Sequence, residues 1–290
     1  MTRRHSILAL GAFLALCPLL PGLATAPDLG PSTLLQDKKK APPKDDPAIT
    51  KSLKDLDKIR KDKKGTQDAE GIGLINQMAT RYPDLNSKQQ KAIVKGLAQV
   101  FKAKRTPAET RLLLAAGEAL SKFEEDGAKE LSKICDDRSF GKKEWLQFRG
   151  RLVTFLGRPA VTGKIQKQLL DYTTRAPDDI IRAMAGGTLK HYAKHDQKVR
   201  KEIVGKLVKE LAGIYSLSKA NVDPRDTARK TYEDTYATVS TPWMQTLTAL
   251  TAQKIKDPNE WQRWYNKNKK KNWDKEGFST RAVNAPEKKS

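Results

Sequence analysis

Residues 116–123 read Ala-Gly-Glu-Ala-Leu-Ser-Lys-Phe, and residues 185–192 repeat the pattern as Ala-Gly-Gly-Thr-Leu-Lys-His-Tyr, 69 residues further along the chain. Alanine, glycine, leucine and an aromatic residue fall in register, and an amphipathic stretch follows each copy. A helical segment that recurs in this way is typical of α-solenoids, in which each unit buries its apolar face by stacking on its neighbours. The repeat therefore predicts an all-α fold, an α-solenoid of short antiparallel helix hairpins.

The leucine and the aromatic residue of this pattern also occur once between the two copies. The three pairs are Leu120–Phe123, Leu152–Phe155 and Leu189–Tyr192. They are separated by 32 and then 37 residues, which suits a unit of two short helices, about 35 residues long.

Prolines mark the expected beginnings of several helices. The segments Thr106-Pro107-Ala108-Glu109 and Asp257-Pro258-Asn259-Glu260 each combine an N-cap residue, a proline at the first helical position and a capping-box glutamate. Further helix starts are expected at Asp46-Pro47, Ala176-Pro177, Asp223-Pro224 and Thr241-Pro242. This spacing predicts a chain of short helices rather than one bundle of long helices.

Two segments resemble HEAT-like repeat units. In residues 115–134 an acidic turn, Glu124-Glu125-Asp126, separates two apolar helical stretches, and residues 192–211 have a similar arrangement. The resemblance covers residues 100–220 and implies a right-handed stack of helix hairpins that serves as a binding scaffold. Residues 247–251, followed by Trp261-Gln262-Arg263-Trp264-Tyr265, are similar to the end of uncharacterised exported bacterial repeat proteins, a family that implies no activity.

The first 26 residues have the pattern of a secretory signal peptide. Arg3 and Arg4 precede an apolar run, and Ala24-Thr25-Ala26 offers a small-residue cleavage site. We therefore expect an exported protein, periplasmic or extracellular. Lipid attachment at Cys17 is disfavoured because a bulky leucine precedes the cysteine and a proline follows it.

The rest of the chain divides by composition into three parts. Residues 27–47 contain five prolines and the run Lys38-Lys39-Lys40, which predicts a disordered linker. Residues 48–266 are expected to form the α-helical repeat domain. Residues 267–290 are expected to form a basic, flexible tail.

The formal net charge of +22 favours anionic partners. Loss of Arg3 and Arg4 with the signal peptide would lower it to +20. We expect a protein partner, bound through the stacked helix faces. The alternative is an acidic polysaccharide or a membrane surface held by charge, and export makes nucleic acid the least accessible partner. A lysine-rich surface that only confers solubility also fits this composition.

The sequence does not predict an enzyme. His191 and His195 have the spacing of two zinc ligands on a helix, but Tyr192 stands where a zinc hydrolase has its general-base glutamate. The acidic pairs, such as Asp136-Asp137 and Asp178-Asp179, lie where turns and helix starts are expected and not across a cleft, as glycoside hydrolysis would need. We expect no catalytic residue, no metal and no cofactor.

The best candidate site lies near the C-terminus. Tryptophans at 243, 261, 264 and 273 alternate there with cationic side chains, a pattern that can bind an anionic polymer. Trp261, Trp264 and Tyr265 share one helix face and are expected to form a structural cap on the last repeat. The expected contacts to a macromolecule are Arg263, Lys267, Lys269, Lys270 and Lys271.

Overall fold

The computed structural model describes residues 44–220 and 227–278. The expected signal peptide, most of the expected linker and the helix start at Asp223-Pro224 lie outside these residues. The described part of the chain is all-α: it contains eleven α-helices, four short 3₁₀ helices and no strand. The α-helices are α1 Pro47–Lys61, α2 Asp68–Arg81, α3 Ser87–Val100, α4 Arg111–Leu120, α5 Glu124–Cys135, α6 Leu146–Gly157, α7 Lys164–Arg175, α8 Asp179–Thr188, α9 Gln197–Ser218, α10 Thr227–Thr251 and α11 Pro258–Asn268.

Local capping explains several helix starts. The Asp46 side chain accepts a hydrogen bond from the Ala48 N–H, and the Asp257 side chain accepts one from the Glu260 N–H, at 2.9 and 2.8 Å. In both cases a proline occupies the first helical position, as the sequence predicts.

Two other expected starts are wrong, and a third, Ala176-Pro177, lies just before α8, whose N-cap residue is Asp178. Helix α4 begins at Arg111, because Thr106 and Glu109 instead close a turn before it, with the Glu109 N–H donating to the Thr106 carbonyl. Pro242 lies inside α10 rather than at a helix start. A proline there costs a helical hydrogen bond. The helix continues through it because Val239, Trp243 and Leu247, one turn apart, are all fully buried.

The helices contact one another in two series. Each helix packs against the helix two positions further along, from α1 on α3 to α9 on α11. We call α1, α3, α5, α7, α9 and α11 the odd series, and α2, α4, α6, α8 and α10 the even series. Extensive contacts also join the two series, mostly between consecutive helices, and within residues 44–220 and 227–278 none joins helices more than two positions apart.

The repeated sequence pattern falls at corresponding places in the even series. Its copies lie in α4 and α8 with the turns that follow, and Leu120, Phe123, Leu189 and Tyr192 are all buried. The glycine of each copy allows the next even helix to approach closely. In the first copy, a Cβ at Gly117 would lie 3.0 Å from Phe155 of α6. In the second copy, a Cβ at Gly186 would lie only 2.1 Å from Nε1 of Trp243 in α10.

The folded part extends beyond both boundaries expected from composition. Before α1, Asp45 binds Lys88 at 2.7 Å, and the Asp46 N–H donates to the Gln89 side chain at 3.0 Å. After α11, Trp273 is fully buried. These contacts join segments far apart in sequence, so local composition did not indicate them. None of the helices in the described ranges has the length and apolar character needed to cross a membrane.

Candidate macromolecule-binding surfaces

The five cations expected to contact a macromolecule are exposed at and after the end of α11. The Arg263 guanidinium lies 3.8 Å from Glu260, and Lys271 lies 3.6 Å from Glu276. Lys269 donates to the side-chain oxygen of Asn266 at 3.2 Å. Lys267 and Lys270 are also exposed, so the group remains accessible to an anionic partner.

The aromatic residues near the C-terminus form a packed cluster. Trp261 is fully buried, with its ring centroid 5.7 Å from that of Trp264, and Trp264 in turn contacts Trp273 and Phe278. The cluster lies where α11 packs on α9, and the Tyr265 hydroxyl approaches Gly205 of α9. The three residues expected to form a cap thus face inward, together with Trp273.

A buried arginine joins this cluster to the rest of the fold. The Arg200 side chain of α9 has no exposed surface and forms an ion pair with Asp274. It also donates to the carbonyls of Leu250 and Phe278, at 3.0 and 2.6 Å. Arg200 therefore connects α9, the end of α10 and the segment after α11, three parts that are distant in sequence.

Three of the four tryptophans near the C-terminus are buried, whereas the cations that alternate with them in the sequence are exposed. Trp243, Trp261 and Trp273 are fully buried, and each indole N–H donates to a backbone carbonyl at 2.9–3.0 Å. Stacking on bases or sugars needs an exposed ring face. In this conformation these three indoles are therefore not available for stacking, whereas the cations of the C-terminal group are exposed.

A second and larger basic surface follows the odd series. Among the described helices, those of the odd series carry sixteen lysines, and those of the even series carry one, Lys230. With arginines and acids included, the odd helices hold twenty cationic and ten acidic side chains, and the even helices hold seven and six. The odd-series lysines are all exposed except the half-buried Lys201. Most of the positive charge of the helices therefore belongs to one series.

Clefts open between successive helices of the odd series. One of them, about 670 Å³, lies between α3, α5 and the start of α7, and we call it the α3–α5–α7 cleft. Two clefts, of about 280 and 580 Å³, lie between α1 and α3, and one of about 170 Å³ lies between α7 and α9. Lysines line all four, so the odd series combines cationic side chains with concave surface.

The sequence contains the lysine distribution, but it becomes visible only when lysines are assigned to alternate helices. That assignment needs the helix bounds, and several expected bounds were wrong. Arg200 and the similarly buried Arg105, which holds Asp68 at 2.6 Å, have no local signal, because their partners lie far away in the chain.

The described residues contain no group of three or more His, Cys, Asp or Glu side chains arranged to hold a metal ion. His191 and His195 do not share an α-helical face, because residues Leu189–Lys194 form a 3₁₀ helix. Burial raises the pKa of the Cys135 thiol, and desolvation together with Lys190 and Arg158 lowers the pKa of His191. Neither group lies in a cleft described above.

The chain matches no protein-family model, no curated protein and no solved structure. Its class is therefore defined by its own architecture. The described part is an all-α protein, compatible with a helical-repeat fold, whose helices contact in two series. Of the lysines within these helices, all but one belong to the odd series.

Proposed function

We propose that this chain is an exported, non-enzymatic α-solenoid of HEAT-like helix hairpins that binds another macromolecule through its odd series. The observation that carries the proposal is the division of lysines, sixteen on the odd helices and one on the even helices. A lysine surface needed only for solubility would have no reason to avoid one series. Export rests on the pattern of residues 1–26.

The contacts between helices support the solenoid. In a solenoid each unit touches only its neighbours, and here extensive contacts in the described ranges extend no further than the second helix along. The 69-residue sequence repeat corresponds to the step from α4 to α8, which is two helix pairs. We infer that the odd and even series are the two layers of the solenoid, and that the aromatic cluster of α11 closes its last unit.

The proposed binding surface combines positive charge with a concave shape. Long-range attraction between lysines and an anionic partner increases the rate of association, and clefts between helices provide apolar contact once the partner has docked. The even series has neither the lysines nor the same net charge, so it provides a natural comparison within the same chain.

Charge reversal on the odd series tests the proposal. The variant carries Lys54→Glu, Lys95→Glu and Lys206→Glu, three exposed lysines that line three different odd-series clefts. Binding is measured to vesicles of phosphatidylglycerol and phosphatidylcholine, to polygalacturonate and to a synthetic acidic amphipathic peptide. We expect at least one probe to bind the unmodified chain, and the variant to lose about tenfold or more of that affinity.

A matched variant supplies the control. Arg111→Glu, Arg151→Glu and Lys230→Glu produce the same change in net charge on exposed positions of the even series. This variant should retain affinity within about threefold, because distant exposed charges are screened by salt. Equal losses in the two variants, or the absence of binding to every probe, would contradict the proposal.

The second candidate function is charge-driven binding of an anionic polymer or membrane by the C-terminal cations. The exposure of Lys267, Lys269, Lys270 and Lys271 favours it. Affinity of that kind falls steeply as salt rises, whereas a packed protein interface is affected far less. Reversal of Lys269, Lys270 and Lys271 to Glu should abolish such binding, and unchanged binding would exclude this candidate.

A further inference from the structure

The α3–α5–α7 cleft has an aliphatic floor and a cationic rim. Val94 and Ile165 are almost fully buried beneath it, and Ala98 and Val161 are half-buried on its walls. The rim is net positive, with five lysines and three acids: Lys91 and Lys95 on α3, Lys129, Lys133, Glu125, Asp126 and Glu130 on α5, and Lys164 at the start of α7. An apolar floor inside a charged rim is the usual composition of a binding site for a polypeptide segment.

Three of the five rim lysines are available to a partner. Lys129 pairs with Glu125 at 2.9 Å, and Lys133 pairs with Glu130 at 2.6 Å, both within α5. Lys91, Lys95 and Lys164 make no ion pair with any residue in the described ranges. These three ammonium groups lie on two sides of the cleft and would attract carboxylates on an occupant.

The cleft is continuous with a neighbouring one. Lys95 and Gln99 line both the α3–α5–α7 cleft and the smaller cleft between α1 and α3, whose wall includes Leu53 and Ala92. Two adjoining clefts that share lining residues suit an extended occupant more than a small molecule. The occupant is therefore long enough to cross α3.

Charge excludes this chain as its own ligand. The parts outside the structure at the two ends are net positive even without the expected signal peptide: residues 27–43 contain three cations and two acids, and residues 279–290 contain three cations and one acid. A second copy carries +22, or +20 without residues 1–26. Each of these would be repelled by the lysine rim, so the occupant comes from a different molecule that is acidic.

The lining also decides the class of that molecule. No aromatic side chain lines the α3–α5–α7 cleft or the cleft between α1 and α3. Binding of bases by stacking depends on aromatic platforms. Leucine-like side chains on one face of a peptide would instead fill the aliphatic floor, while glutamates on its other side reach the lysines.

We propose that the α3–α5–α7 cleft is the docking site for an acidic, amphipathic segment of another protein. The inference rests on the proposed function, since it assigns one partner class and one place to the odd-series surface. The start of α7 adds to the attraction. Its N-cap is Gly163, which has no side chain to cap the first N–H groups, and these lie beside Lys164 at the cleft.

Fluorescence anisotropy with a labelled synthetic peptide tests the docking site. The peptide carries leucine and glutamate on opposite faces of a helix, and a scrambled peptide of the same composition and polyglutamate serve as comparisons. We expect the full-length chain to bind the amphipathic peptide about tenfold or more tightly than either comparison, because only that peptide can fill the floor while pairing with the rim.

Two variants locate the site. Lys91→Glu with Lys95→Glu should weaken peptide binding about tenfold or more. Lys198→Glu with Lys209→Glu makes the same change in charge on exposed α9 positions outside the cleft and should leave affinity within about threefold. All four positions are solvent-exposed, so unchanged melting temperatures would show that folding is preserved.

The outcomes separate this inference from the proposed function. Equal loss in both variants, or equal affinity for the scrambled peptide, overturns the docking site and leaves the odd-series surface in place. If the chain binds only vesicles or polygalacturonate, and charge reversal on the odd series abolishes that binding, the docking site is likewise overturned and the odd-series surface stays in place. Absence of binding to any probe overturns both.

Discussion

Arg200 shows how much of this fold depends on a single side chain. Its guanidinium is fully buried and donates to the carbonyls of Leu250 and Phe278 while pairing with Asp274. Arg200→Met replaces the aliphatic part of the side chain but leaves these carbonyls without their donor. We expect the free energy of unfolding to fall by about 2–4 kcal/mol, measured by urea denaturation. Limited proteolysis should also cut first within residues 269–278, which the arginine holds in place.

The variant Asp274→Asn tests the ion pair of Arg200 separately from its contacts with the two carbonyls. The Asp274 side chain is 47% exposed, so its pair with Arg200 is partly screened by water. Its replacement should cost less than about 1 kcal/mol, because the carbonyl contacts of the arginine persist. A larger loss for Asp274→Asn than for Arg200→Met would show that the ion pair, rather than the carbonyl network, holds the segment.

Cys135 offers a second prediction about a single residue. The thiol is 5% exposed, and burial raises its pKa, so it is both inaccessible and neutral. Thiolates are the reactive form of cysteine. In a chain carrying Cys17→Ser, labelling of Cys135 by a thiol reagent should be slow in buffer and rapid in denaturant. Rapid labelling of the folded protein would contradict the packing of α5.

Among the elements, α8 and α10 depend on a glycine for their close approach. A Cβ at Gly186 would overlap the Trp243 indole, whose N–H donates to the Arg182 carbonyl at 3.0 Å. Gly186→Ala should therefore destabilise the protein by about 1–3 kcal/mol in thermal or urea unfolding. Gly213→Ala in α9 meets no neighbouring atom and should stabilise by about 0.5–1 kcal/mol through helix propensity. The opposite order of stabilities would show that the α8–α10 contact is looser than described.

At the scale of the elements, the sequence predicted that the chain is helical, but it predicted only some of the helix starts correctly. Buried residues such as Leu120 and Phe123 belong to a local pattern, and that pattern located α4 and α8. The start at Pro47 was found because its cap is local, whereas Pro242 was misjudged because tertiary burial of α10 outweighs the cost of a proline within a helix. Trp273 was placed in a tail because its contacts with Trp264 and Arg200 form only in the folded chain.

For the whole molecule, the candidate site was only partly accessible from sequence. The net charge and the cations of residues 267–271 are visible in the composition, and in the structure those cations are exposed. The odd-series lysines form a surface only because alternate helices contact one another. Separating them from the even series required the contacts between helices, which no local pattern encodes. Binding itself, its partner and export stay predictions.

The central claim is that the odd series is the binding surface, and covalent lysine footprinting tests it most directly. Lysine reactivity would be read residue by residue, with and without whichever of the three probes binds the unmodified chain most tightly. We expect protection of odd-series lysines such as Lys91, Lys95 and Lys164, and unchanged reactivity at exposed lysines elsewhere, such as Lys102, Lys190 and Lys230. Protection spread evenly over all lysines, or confined to those outside the odd series, would contradict the claim.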